Sequence, residues 1–348
     1  AMVVSLSVVF IAGIVPTTKA FAEPGSVFLW GGYDDDGLFG SYAEEHGSPA
    51  YTTFGDAEEG LQKLRAGAEF DLAWPCQGEI KRWVRAGVLE PLDPSRIENW
   101  NDMFPEVRDL PSGMVDGKNY FAPVDWGDTT LFYMPDRVTW MNDDNESFDL
   151  MEDPRVKGKV GILDSAADSL FLMMHHLGID IREQDQLTKA AIDQGINKFR
   201  EMRDNGQIRA FFGDTSSMVE ALGNEEIDVA LGWNEIAWNA GAKMMQPSNG
   251  TMTWACGLAI VKGADLDKAY AMINGATSAE TSAYLLSEWG YGHSNKAGFS
   301  TLTADELAER GVAANPADHL SNGMFSVMPT DEVTDYMEAQ WAEMVAGG

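Results

Sequence analysis

Cysteine, histidine and basic residues are all scarce in this sequence. Among 348 residues there are two cysteines and five histidines, and 24 lysines and arginines stand against 55 acidic residues. Two cysteines are too few for a disulfide-rich scaffold, so the fold must depend on its hydrophobic cores. The net charge of −31 repels nucleic acid and anionic lipid, and it therefore excludes both as binding partners.

Motifs typical of enzymes and metal sites are absent as well. The sequence contains no G-x-S-x-G, no H-E-x-x-H and no glycine-rich phosphate loop. The adjacent His175 and His176 have no cysteine or acid at the spacing of metal ligands. The acidic run "YDDDG" at residues 33–37 would need glycine at the sixth position of a calcium loop, where Phe39 stands. We therefore predict a protein that is not an enzyme and that has no metal ion and no cofactor.

One long apolar run lies at the start of the sequence. Residues 3–15 are almost entirely apolar, and "AFA" at residues 20–22 has the small-x-small pattern of a signal peptidase site. The run is too short to span a bilayer comfortably. We predict that residues 1–22 are part of a signal peptide and that the protein is periplasmic, without direct membrane insertion.

The rest of the sequence alternates between strand-like and helix-like segments. Residues 26–87 follow a β-α-β-α-β-α order with short connections, and a second series begins with a predicted strand at 158–164 and a helix at 165–178. Such an alternation predicts mainly parallel sheets with helices on both faces. The fold class is therefore α/β.

Two long extended segments, residues 120–136 and 251–263, interrupt this alternation. We interpret them as crossovers between two lobes, with a hinge there and a ligand cleft between the lobes. The predicted first lobe comprises residues 23–127 and 255–298, and the second comprises residues 128–254 and 299–348.

Tryptophan is the most informative residue type, with 11 in the chain. Five of them fall at predicted strand ends or in the extended segments, and two tyrosines lie in nearby loops; these are Trp30, Trp74, Trp126, Trp233, Trp254, Tyr33 and Tyr291. Core packing explains any one of them. Together they favour an aromatic box that holds a cation over its ring faces, and quaternary ammonium or sulfonium groups suit such a box best.

Six short motifs resemble, in order, those of the spermidine/putrescine-type periplasmic solute-binding proteins of ABC importers. They are "LWGGY", "FDLAWPCQG", "APVDWGDTTLFY", "LGWNEIAW", "WACGLAIVKGA" and "WGYGHSN". The resemblance covers nearly the whole mature chain and implies the two-lobed type II periplasmic-binding fold. It also implies a small-molecule ligand, a permease and ATPase complex as partners, and a monomeric protein.

The departures from that family concern the charged residues of its site. By the resemblance, Cys256 replaces an aspartate, Ser165 replaces an acid and Gly78 replaces a tyrosine, while Asp168 keeps a second acid. A site that keeps aromatic walls but loses anions suits a methylated onium compound such as dimethylsulfoniopropionate, glycine betaine or choline, which needs few hydrogen-bond acceptors. The alternative is a polyamine ligand with Asp164, Asp168 and Asp128 as its anions. The predicted ligand-binding residues are Trp30, Tyr33, Trp74, Trp126, Trp233, Trp254, Tyr291, Asp168, Asp128, Ser165 and Cys256.

The resemblance also concerns the two cysteines. It implies that Cys76 and Cys256 face the same side of the cleft, where an oxidising compartment would allow a disulfide. Two separate buried thiols are the alternative.

Overall fold

The computed structural model describes residues 23–312 and 316–347. The predicted signal peptide lies outside these residues. The strands are β1 (Ser26–Trp30), β2 (Ala50–Phe54), β3 (Leu72–Ala73), β4 (Leu89–Glu90), β5 (Met114–Val115), β6 (Lys118–Asn119), β7 (Ala122–Tyr133), β8 (Val160–Leu163), β9 (Ile208–Phe212), β10 (Val229–Trp233), β11 (Lys243–Met244), β12 (Met252–Val261), β13 (Gly292–His293) and β14 (Met324–Phe325).

The helices alternate with these strands, together with short 3-10 and π turns. They are α1 (Ser41–His46), α2 (Ala57–Arg65), α3 (Ile80–Arg85), α4 (Pro105–Arg108), α5 (Phe171–His176), α6 (Lys189–Asp204), α7 (Thr215–Gly223), α8 (Asn234–Ala240), α9 (Leu266–Ala276), α10 (Ala279–Tyr284), α11 (Ala304–Glu309), α12 (Pro316–Ser321) and α13 (Asp331–Val345). Within the described ranges, none of them has the length and apolar character needed to cross a membrane.

Side-chain caps begin many of the helices. Asp56 accepts a hydrogen bond from the backbone N–H of Glu59 at 2.7 Å and so starts α2, and Thr188 and Asp214 cap α6 and α7 in the same way. The helix predicted at 165–178 is divided instead: Ser165 caps a π turn, which passes into α5. This turn carries Asp168, a predicted site residue.

The main sheet has the strand order β2-β1-β3-β12-β7-β10-β8-β9. On one side β1 lies parallel to β2 and β3, and on the other side β8 lies parallel to β9 and β10. Between these two series lie β7 and β12, which are antiparallel to each other. This arrangement confirms the predicted α/β class, and the two extended segments occupy the centre of the sheet.

The register of β7 and β12 decides which side chains can meet. Cys256 lies opposite Asp125, and Trp254 lies opposite Gly127, while Thr129 lies opposite Trp233 of β10. Cross-strand partners share a face and successive residues alternate between faces. These residues therefore project from one face of the sheet, and the alternate residues of β7 project from the other.

Hydrophobic cores form on both sides of the two central strands. One group surrounds β1 and β3 together with α9, and another surrounds β8 and β10 together with α6 and α13. A further cluster joins Leu307 and Leu320 to Phe104 and Val107. The C-terminal region is thus divided between partners, because α13 packs on α6 while α11 and α12 pack near α4. The exact lobe boundaries stay a prediction.

Candidate ligand-binding site

Five aromatic rings form a continuous cluster beside the central strands. Tyr33 lies 5.5 Å from Trp74 and 5.0 Å from Trp289, measured between ring centroids. Tyr291 lies 6.4 Å from Trp289 and 4.9 Å from Trp254. Four of these residues are among those predicted from the sequence. Trp289 was missed, although it lies in the "WGYGHSN" motif.

A glycine allows one of these rings to approach the sheet. A Cβ atom at Gly127 would overlap the ring of Trp254 and the side-chain oxygen of Asn234. Since any other residue at this position would displace both groups, the glycine of the "DWGD" sequence is needed for Trp254 to lie across β7.

Asp125 lies within this cluster and is 1% exposed. Its carboxylate accepts hydrogen bonds from the indole N–H of Trp74 at 2.9 Å and from the hydroxyl of Tyr33 at 2.8 Å. Burial raises the pKa of Asp125 to about 6, against the opposing effect of these donors. No cationic side chain in the described residues forms an ion pair with it. Sequence reasoning missed Asp125, although it precedes a predicted site tryptophan.

A second carboxylate, Glu235, approaches the same cluster from the start of α8. It lies within hydrogen-bonding reach of Tyr291 and Thr215, and burial raises its pKa. Burial and the neighbouring carboxylates raise the pKa values of Tyr33 and Tyr291 well above the ordinary value, so both tyrosines remain protonated donors. Glu235 was also missed. The only sequence signal was its place just after Trp233 in "LGWNEIAW".

Asp168 forms a third acidic position, farther along β7. It accepts hydrogen bonds from Thr129 at 2.8 Å and from Ser165 at 2.7 Å, with Trp233 also in reach. Burial raises its pKa. The structure therefore brings together three predicted site residues: Asp168, Ser165 and Trp233.

Two predicted site residues lie on the opposite face of β7. Trp126 is 1% exposed, stacks on Phe299 and His319, and donates its indole N–H to a backbone carbonyl. Asp128 pairs with His319 at 3.0 Å and accepts a hydrogen bond from Thr253 at 2.8 Å. Their contact with a ligand stays a prediction, although the structure places both on the face opposite Asp125. The alternation of side chains along β7 is the reason.

The two remaining candidates, Asp164 and Trp30, contact other parts of the protein. Asp164 is exposed and accepts a hydrogen bond from the indole of Trp341 at 2.7 Å, which holds α13 in place. Trp30 is partly buried and packs against Phe54, with 4.6 Å between the ring centroids, at the edge of a hydrophobic cluster. A ligand contact of Trp30 stays a prediction.

The structure joins Cys76 and Cys256 in a disulfide. Cys256 lies opposite Asp125 in the strand register, and Cys76 lies two residues after Trp74. The bond therefore ties the loop that carries Trp74 to β12, next to the buried carboxylate.

The arrangement is suited to holding a cation. Three carboxylates with raised pKa values face aromatic rings, and their protein partners in the described part of the chain are neutral donors. No set of three or more histidine, cysteine or acidic side chains there is arranged to hold a metal ion.

Comparison with known proteins then identifies the family. The family model of bacterial extracellular solute-binding proteins matches residues 48–308. The chain belongs to this family. This membership confirms the predictions of a periplasmic protein and of a binding protein rather than an enzyme.

Individual relatives cover almost the whole chain. The putrescine-binding periplasmic protein PotF of Escherichia coli is 25% identical over 96% of this chain and 94% of its own length. A putrescine/agmatine-binding protein of Pseudomonas aeruginosa is 26% identical over 91% of this chain and 89% of its own. A solved structure, a putative spermidine/putrescine ABC transporter from Listeria monocytogenes, superimposes with a TM-score of 0.79 at 23% identity, covering 93% and 99% of the two chains. The type II periplasmic-binding fold is thereby confirmed.

Proposed function

We propose that this solute-binding protein binds a linear polyamine and presents it to the permease and ATPase of an ABC importer. The observation that carries the proposal is a set of three carboxylates without a cationic partner in the described chain. Asp125 and Glu235 lie at the aromatic cluster, and Asp168 lies beside Trp233. Two relatives are named as a putrescine-binding and a putrescine/agmatine-binding protein, which agrees with the proposal.

Electrostatics favours a protonated amine as the missing partner. Burying an unpaired carboxylate costs several kcal/mol, and a cation that donates hydrogen bonds to it offsets this cost. The aromatic rings of Trp254 and Tyr291 provide apolar surface for the methylene chain and faces for a cation. A methylated onium group would gain the second of these contacts but would leave the carboxylates without a hydrogen-bond donor.

Asp125 and the Thr129 contact of Asp168 are separated along β7, which suits a ligand with charge at both ends. Asp125 and Thr129, which bonds Asp168, are four residues apart on the same face of β7. At the rise of an extended strand this separation is about 13 Å between Cα atoms. We therefore infer that one ammonium group binds near Asp125 and Glu235 and the other near Asp168.

The sequence-based preference for an onium compound depended on a loss of anions. Cys256 indeed carries no charge, but Asp125 lies directly opposite it across the strand pair. This juxtaposition supports the alternative polyamine ligand over dimethylsulfoniopropionate, glycine betaine or choline.

Calorimetry on protein freed of co-purified ligand tests the proposal. Putrescine and spermidine should bind, butylamine should bind at least tenfold more weakly, and the onium compounds should not compete with putrescine. Asp125→Asn should weaken putrescine binding by about 2–4 kcal/mol, because one partner of a buried charge pair is removed. The matched control is Asp128→Asn, a buried aspartate on the other face of β7, which should keep near-native affinity. Tight onium binding without amine binding would refute the proposal.

A further inference from the structure

We propose that Trp289 is a further ligand-binding residue and that Asp35 is its positioning residue. This inference rests on the proposed function, since it adds a wall and a support to the same amine site. It also gives a role to Asp35 of the acidic "YDDDG" motif.

Trp289 joins the two sides of the aromatic cluster. Its ring lies between Tyr33 and Tyr291, which contact Asp125 and Glu235 respectively. Removing this ring would break the continuous series and open the space beside both carboxylates. A tryptophan face next to bound ammonium contributes a cation–π interaction as well as apolar contact.

The backbone around Trp289 is held in a fixed place. Gly290 follows it in the left-handed conformation, with φ of 72°, and ends the π turn that contains Trp289. Asn234 donates a hydrogen bond to the carbonyl of Gly290 at 2.9 Å, which links the turn to the end of β10. These contacts fix the backbone of the residue, and the orientation of the indole depends on the neighbouring rings and on its own hydrogen bond.

Asp35 provides that hydrogen bond. Its Oδ2 accepts from the indole N–H of Trp289 at 3.2 Å and from the hydroxyl of Tyr284 at 2.7 Å. Its Oδ1 accepts from the backbone N–H of Gly37 at 2.9 Å, which fixes the carboxylate in the loop. Oδ1 therefore bonds the backbone of its own loop, and Oδ2 bonds side chains of the 284–289 segment.

The same loop also reaches Asp125. Tyr33, two residues before Asp35, donates its hydroxyl to Asp125, and its backbone carbonyl accepts from the N–H of Asp35 at 2.9 Å. One short loop thus holds Tyr33 on one side and Trp289 on the other. Loss of the Asp35 acceptor should therefore displace Trp289 and weaken ligand binding. Asp35 acts through Trp289 and is not proposed to contact the ligand.

The test is a double-mutant cycle with putrescine as the probe, measured by calorimetry. Asp35→Asn keeps Oδ1 for Gly37 but replaces Oδ2 by an NH₂ group, a donor that faces two donors. Trp289→Phe removes the indole N–H, so Oδ2 of Asp35 keeps only the Tyr284 hydroxyl as a donor and no longer acts on residue 289. Asp34→Asn is the matched control, because Asp34 is exposed and makes the same charge change one residue away. The difference in near-UV circular dichroism between wild type and Trp289→Phe provides a signature of the Trp289 ring without ligand.

We expect Asp35→Asn to weaken putrescine binding about fivefold to tenfold and Trp289→Phe about tenfold. The double variant should be no weaker than Trp289→Phe within about twofold, and Asp35→Asn should change the Trp289 signature. Asp34→Asn should change neither. Native affinity in Trp289→Phe, or additive losses in the double variant, would overturn the inference while leaving the proposed function intact. Failure of the wild-type protein to bind any amine would refute the proposed function and this inference with it.

Discussion

Acidification should weaken polyamine binding, and Asp125 sets the expected size of the effect. Burial raises the pKa of Asp125 from the ordinary 3.8 to about 6 in the free protein. An ammonium group binds the ionised carboxylate, so a proton competes with the ligand. The ligand amines themselves stay protonated across this range.

The magnitude follows from the ionised fraction of Asp125. With a pKa of about 6, roughly nine-tenths of the carboxylate is ionised at pH 7 and roughly one-tenth at pH 5. Affinity for putrescine should therefore fall about tenfold between these pH values, which is about 1.4 kcal/mol. Burial also raises the pKa values of Glu235 and Asp168, which acts in the same direction and should add to this change.

Stability of the ligand-free protein should change in the opposite sense. Because the folded-state pKa of Asp125 is raised, its contribution to stability is fully present below pH 3.8 and is lost as the pH rises through about 6. From pH 5 to pH 7 this one group should cost about 1.3 kcal/mol of unfolding free energy. Asp125→Asn should remove that share of the difference in urea denaturation, and it should reduce the pH dependence of binding. An affinity for putrescine that is equal at pH 5 and pH 7 would refute the reasoning.

Three further outcomes follow from the same structure. Protein purified from the periplasm should show no free thiol when denatured without reductant, and reduction of the Cys76–Cys256 bond should lower stability by up to about 5 kcal/mol in the chain-entropy model, since 180 residues separate the two positions. Trp254→Ala should weaken putrescine binding by about 1–3 kcal/mol, whereas Trp126→Ala should lower the melting temperature with a smaller effect on affinity. Solution scattering should show a smaller radius of gyration with putrescine than without it if β7 and β12 act as the hinge; an equal radius at saturation would contradict hinge closure.

The architecture was predictable because the periodicity of apolar residues distinguishes strands from helices. Short strands alternate with amphipathic helices, and the two extended segments appear as β7 and β12, which are buried at every position. The ends of individual helices and strands were harder to predict from the sequence. The helix predicted at 165–178 begins with a π turn, which Ser165 caps by accepting the backbone N–H of Asp168, and hydrophobic periodicity does not encode this local geometry.

The candidate site was predictable in its aromatic residues more than in its charges. Tyr33, Trp74, Trp254 and Tyr291 cluster as the strand ends and crossovers indicated. Trp126 does not join them, because residues adjacent on a strand point to opposite faces and the sequence alone did not fix which face of β7 meets the cleft.

The predicted ligand depended on whether one position of the predicted cleft carries a charge. In the sheet, residues from two neighbouring strands lie at that position. Alignment of motifs compares residues along one strand, so a neutral Cys256 suggested a neutral wall. In the structure, Cys256 faces Asp125 across the pair of crossover strands. A carboxylate on either strand can occupy nearly the same place, because directly opposed side chains lie about 5 Å apart. The disulfide then uses the position on β12 to anchor the Trp74 loop, and Trp74 donates its N–H to Asp125. Charge and covalent support are thus divided between two opposed residues, Asp125 and Cys256, so the residue type at position 256 alone does not report the charge at this place in the sheet.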